Sequence, residues 1–324
     1  MSAVVAAVLI AISVRPSPSA VGYSLQAGRC FEQVPPGATE LRSTLAVGAS
    51  ARLSTTFRFS RLCGGHGNPI PCSAAPLRVT AAGGLTVASV RGTDIQIKAR
   101  TAGAGEVAVR ARKKQFPPLA LHAALPVALM ARVSSFAIAF PELRALRIAE
   151  GGSTSVWLYP VDESRSPLCA GGKLAVTAPA LGIATGTQWD MAKQREVRGA
   201  GGPGWSFLDL VLGARHLSLP VEIVPAGAIV RLELEPHPTE MGPIRIAVRA
   251  RDEVGEVLGA PVRLWLRGEG SLVQLGHFDR PVAELETNEA EVAILPSSPG
   301  AKMILSGQLP NGVTGRADLV APAR

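Results

Sequence analysis

Residues able to do chemistry are sparse in this chain, and the densest group of them is "RLCGGHGNPIPCS", residues 61–73. Cys63, His66 and Cys72 stand in a C-x2-H-x5-C arrangement, which offers three of the four N/S ligands of a tetrahedral zinc site. No fourth Cys or His lies nearby in sequence, and the C-x-x-C spacing of redox folds is absent. The residues favour a disulfide between Cys63 and Cys72 over a metal site and over free buried thiols. That bridge would staple a loop of Gly, Asn and Pro at its two strand ends, contributing about 2–3 kcal/mol in the chain-entropy model. The other two cysteines, Cys30 and Cys169, can pair by default but fall in different domains, and connectivity is not readable from spacing.

Catalytic motifs are not found. The five histidines, 66, 122, 216, 237 and 277, form no H-E-x-x-H, and there is no G-x-S-x-G elbow. "GAGGPG" (199–204) satisfies G-x-G-x-x-G, but it follows the charged run "KQREVR" and leads into the strand-like "WSFLDLVL". A dinucleotide site needs a strand, a turn and a helix N-terminus, so a hairpin loop is expected here. "AELETNEAEV" (283–292) puts Glu284 with Glu286, and Glu289 with Glu291, on common strand faces; calcium can use such oxygens, and a solvated acidic face has the same pattern. "RARKKQ" (110–115) ends a strand with Arg110, Arg112, Lys113 and Lys114, a basic patch suited to an anionic polysaccharide, an envelope surface or another protein. Phe116 is the one aromatic beside it, which argues against single-stranded nucleic acid. The plain alternative is a solvated strand end. No residue set implies a cofactor.

The elements that must carry these residues are strands. The 324 residues include 34 Gly and 26 Pro, punctuation that favours short strands and turns over long helices. "EVAVRAR" (106–112), "DIQIKAR" (94–100), "IRIAVRAR" (244–251) and "VRLELEP" (230–236) alternate apolar and polar residues, placing one face in a core and one in water. Turn clusters such as "AAGG" (81–84) and "TAGAG" (101–105) separate the runs.

The strands also repeat in blocks. "CSAAPLRVTA" (72–81) returns as "CAGGKLAVTA" (169–178), and "ELRSTLAVGAS" (40–50) as "ELRALRIAEGGS" (142–153), which is expected to be the first strand of a second block. "VWLYPVDESRSPLC" (156–169) aligns with "IAVRARDEVGEVLG" (246–259), keeping an Asp-Glu pair. Periods near 90–100 residues fit whole tandem domains. With Gly48-Ala49-Ser50 and Gly151-Gly152-Ser153 after the opening strands, the closing "AGAGEVAVRA" (102–111), and "VRARDEVGEVLGAPVRLWLRGEG" (248–270), the chain resembles tandem bacterial immunoglobulin-like proteins of the invasin/intimin type. The resemblance implies an all-β chain of three antiparallel immunoglobulin-like β-sandwiches, at 31–132, 133–225 and 226–324.

Net charge is +9 over 31–132 (13 basic, 4 acidic), zero over 133–225 and −3 over 226–324 (10 basic, 13 acidic). The apolar run Ala3–Val14 has the length of a signal-peptide core and is short for a membrane span, so residues 1–30 are expected to be an export signal or short anchor plus linker. Membrane contact would then be limited to that segment if it stays uncleaved. The expected function is a non-enzymatic, extracytoplasmic adhesion, spacer or envelope-binding protein. A carbohydrate- or ligand-binding module is the alternative, with Trp157, Trp189, Trp205 and Trp265 as the aromatic candidates, and an unrecognised hydrolase is the second.

Overall fold

The computed structural model describes residues 18–59, 77–133, 138–176, 188–237, 242–274 and 280–322. Among them it has strands, one short 3-10 turn at Ala226–Ala228, and no α-helix. The strands form six sheets in three facing pairs.

The first pair holds β1 (Pro18–Ala27), β2 (Cys30–Val34), β3 (Glu40–Ala46), β4 (Ser50–Phe59), β5 (Leu77–Ala82), β6 (Leu85–Arg91), β7 (Asp94–Ala99), β8 (Gly103–Ala111), β9 (Lys114–Gln115) and β10 (Leu119–Ala124). One sheet runs β2-β1-β4-β7-β6; the other runs β3-β10-β8-β5, with β9 on β8. The alternation read from sequence decides which side chains face inward. Ile95, Ile97 and Ala99 are buried on β7, and Val107, Val109 and Ala111 on β8, against Leu25 and Leu53 from the first sheet and Leu119 and Leu121 from the second.

The second pair holds β11 (Ala128–Val133), β12 (Glu142–Leu143), β13 (Leu146–Ala149), β14 (Ser153–Val161), β15 (Lys173–Val176), β16 (Gln188–Asp190), β17 (Arg195–Arg198), β18 (Gly204–Leu212) and β19 (Arg215–Val224). Its sheets run β12-β11-β14-β17 and β13-β19-β18-β15-β16. The third holds β20 (Arg231–His237), β21 (Ile244–Arg251), β22 (Glu256–Val257), β23 (Val262–Gly268), β24 (Gly270–Val273), β25 (Glu284–Thr287), β26 (Glu291–Pro296), β27 (Lys302–Gln308) and β28 (Thr314–Val320). Its sheets run β20-β21-β26-β24, with β22 on β21, and β25-β23-β27-β28. Each pair encloses one of three hydrophobic clusters. Two-layer packing of antiparallel sheets around such a core is the immunoglobulin-like sandwich arrangement.

The pairing differs from expectation in four places. Two contacts are parallel, β3 with β10 and β13 with β19, because the chain crosses between sheets inside its opening segment and lies along the last strand. Residues 18–30 are not a linker: β1 pairs with β2 and β4, and Val21, Tyr23, Leu25 and Ala27 are core. Residues 1–17 lie outside the described residues. The second block opens with β11, whose Leu129, Ala131 and Val133 sit in the second core, so residues 128–132 belong there and not to the first block. Finally, "GAGGPG" is no hairpin. It joins β17 in one sheet to β18 in the facing one.

Candidate functional site

Only part of the predicted chemistry falls within the described residues. Cys63, His66 and Cys72 lie outside them, so neither the stapled turn nor the metal reading of that loop is carried further. The disulfide among the described residues is the default pairing of the other two cysteines, Cys30 to Cys169, with Cα atoms 5.6 Å apart at a sequence separation of 139. The two fall in different blocks. The structure overcomes this by bringing the β1–β2 hairpin of the first sandwich against the loop after β14 of the second.

That junction is built largely from backbone. Cys169 donates its N–H to Thr44 and accepts from Ala46, 2.8 and 2.9 Å, a β-bridge between sandwiches. Gly28 sits at φ +61° in the hairpin turn, and a Cβ there would be driven into the Ala170 carbonyl oxygen, so both the conformation and the approach require glycine. Arg29 lies 3.7 Å over the Trp157 ring. Burial, with the Arg132 charge adding to it, pulls the Arg29 guanidinium below its ordinary range.

The second junction repeats the arrangement. Leu258 takes the place of Cys169, donating to the Arg147 carbonyl (2.7 Å) and accepting from Ala149 (3.0 Å). Side chains replace the disulfide. Arg147 donates from Nε to Glu222 at 2.6 Å and from Nη1 and Nη2 to Asp252 at 2.9 and 2.5 Å, with its side chain and that of Asp252 largely buried. The Arg147 guanidinium holds the Asp252 carboxyl down at about 2, helped by N–H groups of Gly255 and Val254. Beside this junction a cleft of about 670 Å³ is lined by Ser153, Arg263, Glu286, Thr287, Asn288 and Glu289. Burial pushes Glu289 up, and the nearby Glu196 charge adds to the shift. Sequence reasoning missed both junctions, although Gly151-Gly152-Ser153 was the signal: a Cβ on Gly152 would strike the Gly259 carbonyl oxygen of the next sandwich.

The acidic pairs do not converge on a metal. Glu284 is tied to Arg263 at 2.6 Å, Glu291 is buried near Arg245, and no group of three or more His, Cys, Asp or Glu among the described residues is arranged to hold an ion. The four tryptophans separate. Trp189 is core, Trp157 stacks under Arg29, Trp265 is half-buried, and Trp205 is 62% exposed beside Phe207 at 53% on the outer face of β18.

The predicted basic residues come together at the end of the first sandwich far from the second. Arg110, one residue before the end of β8, lies directly opposite Arg78 on β5. Arg112 (φ +55°) and Lys113 form the turn into β9. Lys114 donates to the Ser19 carbonyl at 2.7 Å and lies 5.4 Å over the Phe116 ring. Ser19 in turn donates to the carbonyl of Arg58, at the end of β4. Arg78 was not in the sequence-level patch, because only strand pairing brings it beside Arg110; Arg58 stands at the same end, on the facing sheet.

No protein-family model matches the chain, and no curated protein is significantly similar to it. Solved structures similar to it include surface layer protein SbsC, domains 1–6 (14% identity, 95% of this chain and 40% of that one, TM-score 0.33). They also include the Escherichia coli adhesin FdeC (12% identity, 93% and 96%, TM-score 0.23) and the Yersinia pseudotuberculosis adhesin InvE (10% identity, 88% and 58%, TM-score 0.19). The chain spans 40–47% of the longer SbsC fragments it matches. The assignment of the fold rests on the sheets described above.

Proposed function

We propose that this protein is an exported, non-enzymatic surface module: a series of β-sandwiches acting as a stiff adhesion or spacer element. One observation carries the reading, the locking of both junctions by reciprocal backbone pairs plus a second device, a disulfide at one and the Arg147 network at the other. Junctions between independent domains ordinarily permit relative motion unless the contact is extensive. Here the second core even takes in Ala46 and Ala49 from the first sandwich and Leu258 from the third. A stable disulfide also fits an oxidising compartment.

Small-angle scattering of the full chain, with and without reduction and alkylation, tests it. The oxidised protein should fit a single extended conformer, and reduction should broaden the distribution. An ensemble of freely hinged sandwiches in the oxidised state would overturn the reading. The exposed pair Trp205 and Phe207 favours a second reading, a saccharide-binding module. Loss of saccharide retention on Trp205→Ala would move the assignment to it.

A further inference from the structure

We infer that the outer end of the first sandwich is a contact site for an acidic polysaccharide, engaged end-on by the arginines that strand pairing gathers there. The inference rests on the surface-module reading and gives it a partner class. Chain direction makes the site: β4 ends, β5 begins, and β8 turns into β9 at this end, while Ala27, Ala46 and Ala124 end β1, β3 and β10 at the opposite end, toward the second sandwich. Arg78 and Arg110 are thereby side by side and exposed on the outer face of the second sheet, Lys113 and Lys114 follow them exposed around the turn into β9 with Arg112 partly exposed between, and Arg58 stands at the same end on the outer face of the facing sheet.

Arg58, Arg78, Arg110 and Lys113 have no carboxylate partner among the described residues, and Lys114 is bound to a neutral carbonyl. Asp94, at the β6–β7 turn, is already occupied by Arg52 (2.5 Å) and Ser54 (2.6 Å). The third sandwich shows the contrast: Glu233, Glu235, Asp252, Glu256 and Glu284 are all in ion pairs with arginines. Like charges directly opposite on neighbouring strands, as with Arg78 and Arg110, destabilise the sheet, so an anion placed between them relieves a repulsion built into the fold. Arginine predominates, and its planar fork matches carboxylates bidentately.

The aromatic residues at this end separate a glycan from other polyanions. Phe57 and Phe116 pack on each other at 5.8 Å, Phe116 is buried, and Phe59 leans on the core. None is turned out as a stacking platform for bases or as an apolar anchor for a bilayer. A flexible polyanion with repeated carboxylates needs neither.

The test uses the full oxidised chain and polygalacturonate, with dextran, single-stranded DNA and phosphatidylglycerol vesicles as comparators. The tip variant carries Arg78→Ser, Arg110→Ser and Lys113→Ser. A control with equal net charge carries Lys173→Ser, Lys193→Ser and Arg215→Ser, exposed positions on the second sandwich. We expect salt-sensitive binding of polygalacturonate, weakened at least tenfold in the tip variant and unchanged in the control, with dextran unbound. Arg112 is left in place because its turn geometry makes any loss there ambiguous. The inference is overturned if wild type does not bind polygalacturonate, if both variants lose binding equally, or if DNA or vesicles are bound more tightly than the glycan. Any of these leaves the scattering result untouched, so failure of the partner class is distinguishable from failure of the surface-module reading.

Discussion

Tyr23 and Tyr159, the two tyrosines of the chain, report on the first two sandwiches independently. The Tyr23 hydroxyl is buried with no hydrogen-bond partner among the described residues, and that burial pushes its pKa up to about 12. Burial also raises Tyr159, with the Glu142 carboxylate adding to it. A phenol whose folded pKa is raised keeps its contribution to stability intact below the unfolded value of about 10, and loses it as pH climbs through the folded value. Titration at 295 nm should therefore show almost no tyrosinate at pH 10.5 in the native protein and ordinary ionisation near 10 in urea. Half-ionisation near 10 without denaturant would contradict the buried placement of Tyr23. The residue scale was also where sequence reading was least complete. Alternation identifies Tyr23 as inward-facing only once "VGYSLQA" is known to be a strand, and a reading of residues 18–30 as linker hides that. For Cys30 and Cys169 the decisive quantity was a distance across two sandwiches, which spacing along the chain cannot supply.

At the scale of elements, most of the strands were legible because their period is two. "DIQIKAR", "IRIAVRAR" and "EVAVRAR" became β7, β21 and β8 with the expected faces buried. Edges and crossings were not, since hydrophobic alternation is the same in either sheet of a pair. That is why "ELRALRIAEGGS" passed for the opening strand of the second block, when it supplies β12 and β13 after β11 has begun that block. The glycines that follow β13 make a sharper test. Gly152 lies between β13 and β14, with the Gly259 backbone against its α-carbon and its N–H bonded to Ala149. Gly152→Ala should shift the loop or separate the third sandwich, destabilising it by about 1–3 kcal/mol. Gly202→Ala, in open space, serves as the control. Equal melting of both variants would show that the approach at Gly152 is not tight.

On the scale of the whole molecule, the two junctions should respond to different conditions. Asp252, held at about 2 by Arg147, contributes stability above the unfolded carboxylate value of 3.8, and that contribution is lost as pH falls through the folded value. Between about pH 4 and pH 2 the third sandwich should therefore uncouple first, seen as a separate calorimetric transition. Arg147→Met leaves Asp252 and Glu222 unpaired at a partly buried site. It should cost about 2–3 kcal/mol, somewhat less than breaking a fully buried pair, and should largely abolish that acid-dependent step. A variant that still uncouples over the same pH range would place the titrating group elsewhere. The first junction should not feel this pH window, because a covalent bond holds it.

That bond also decides what happens when the chain is pulled. Tension applied at the two ends of the chain passes straight from Cys30 to Cys169, and the 139-residue separation is bypassed while the sulfurs remain joined. Every strand from β2 to β14 is then out of the line of force. About 480 Å of extensible contour stays in reserve, at roughly 3.5 Å per residue. Only β1, the remainder of the second sandwich and the third carry the load. A reductant would turn a tether of limited reach into one that can pay out that whole length.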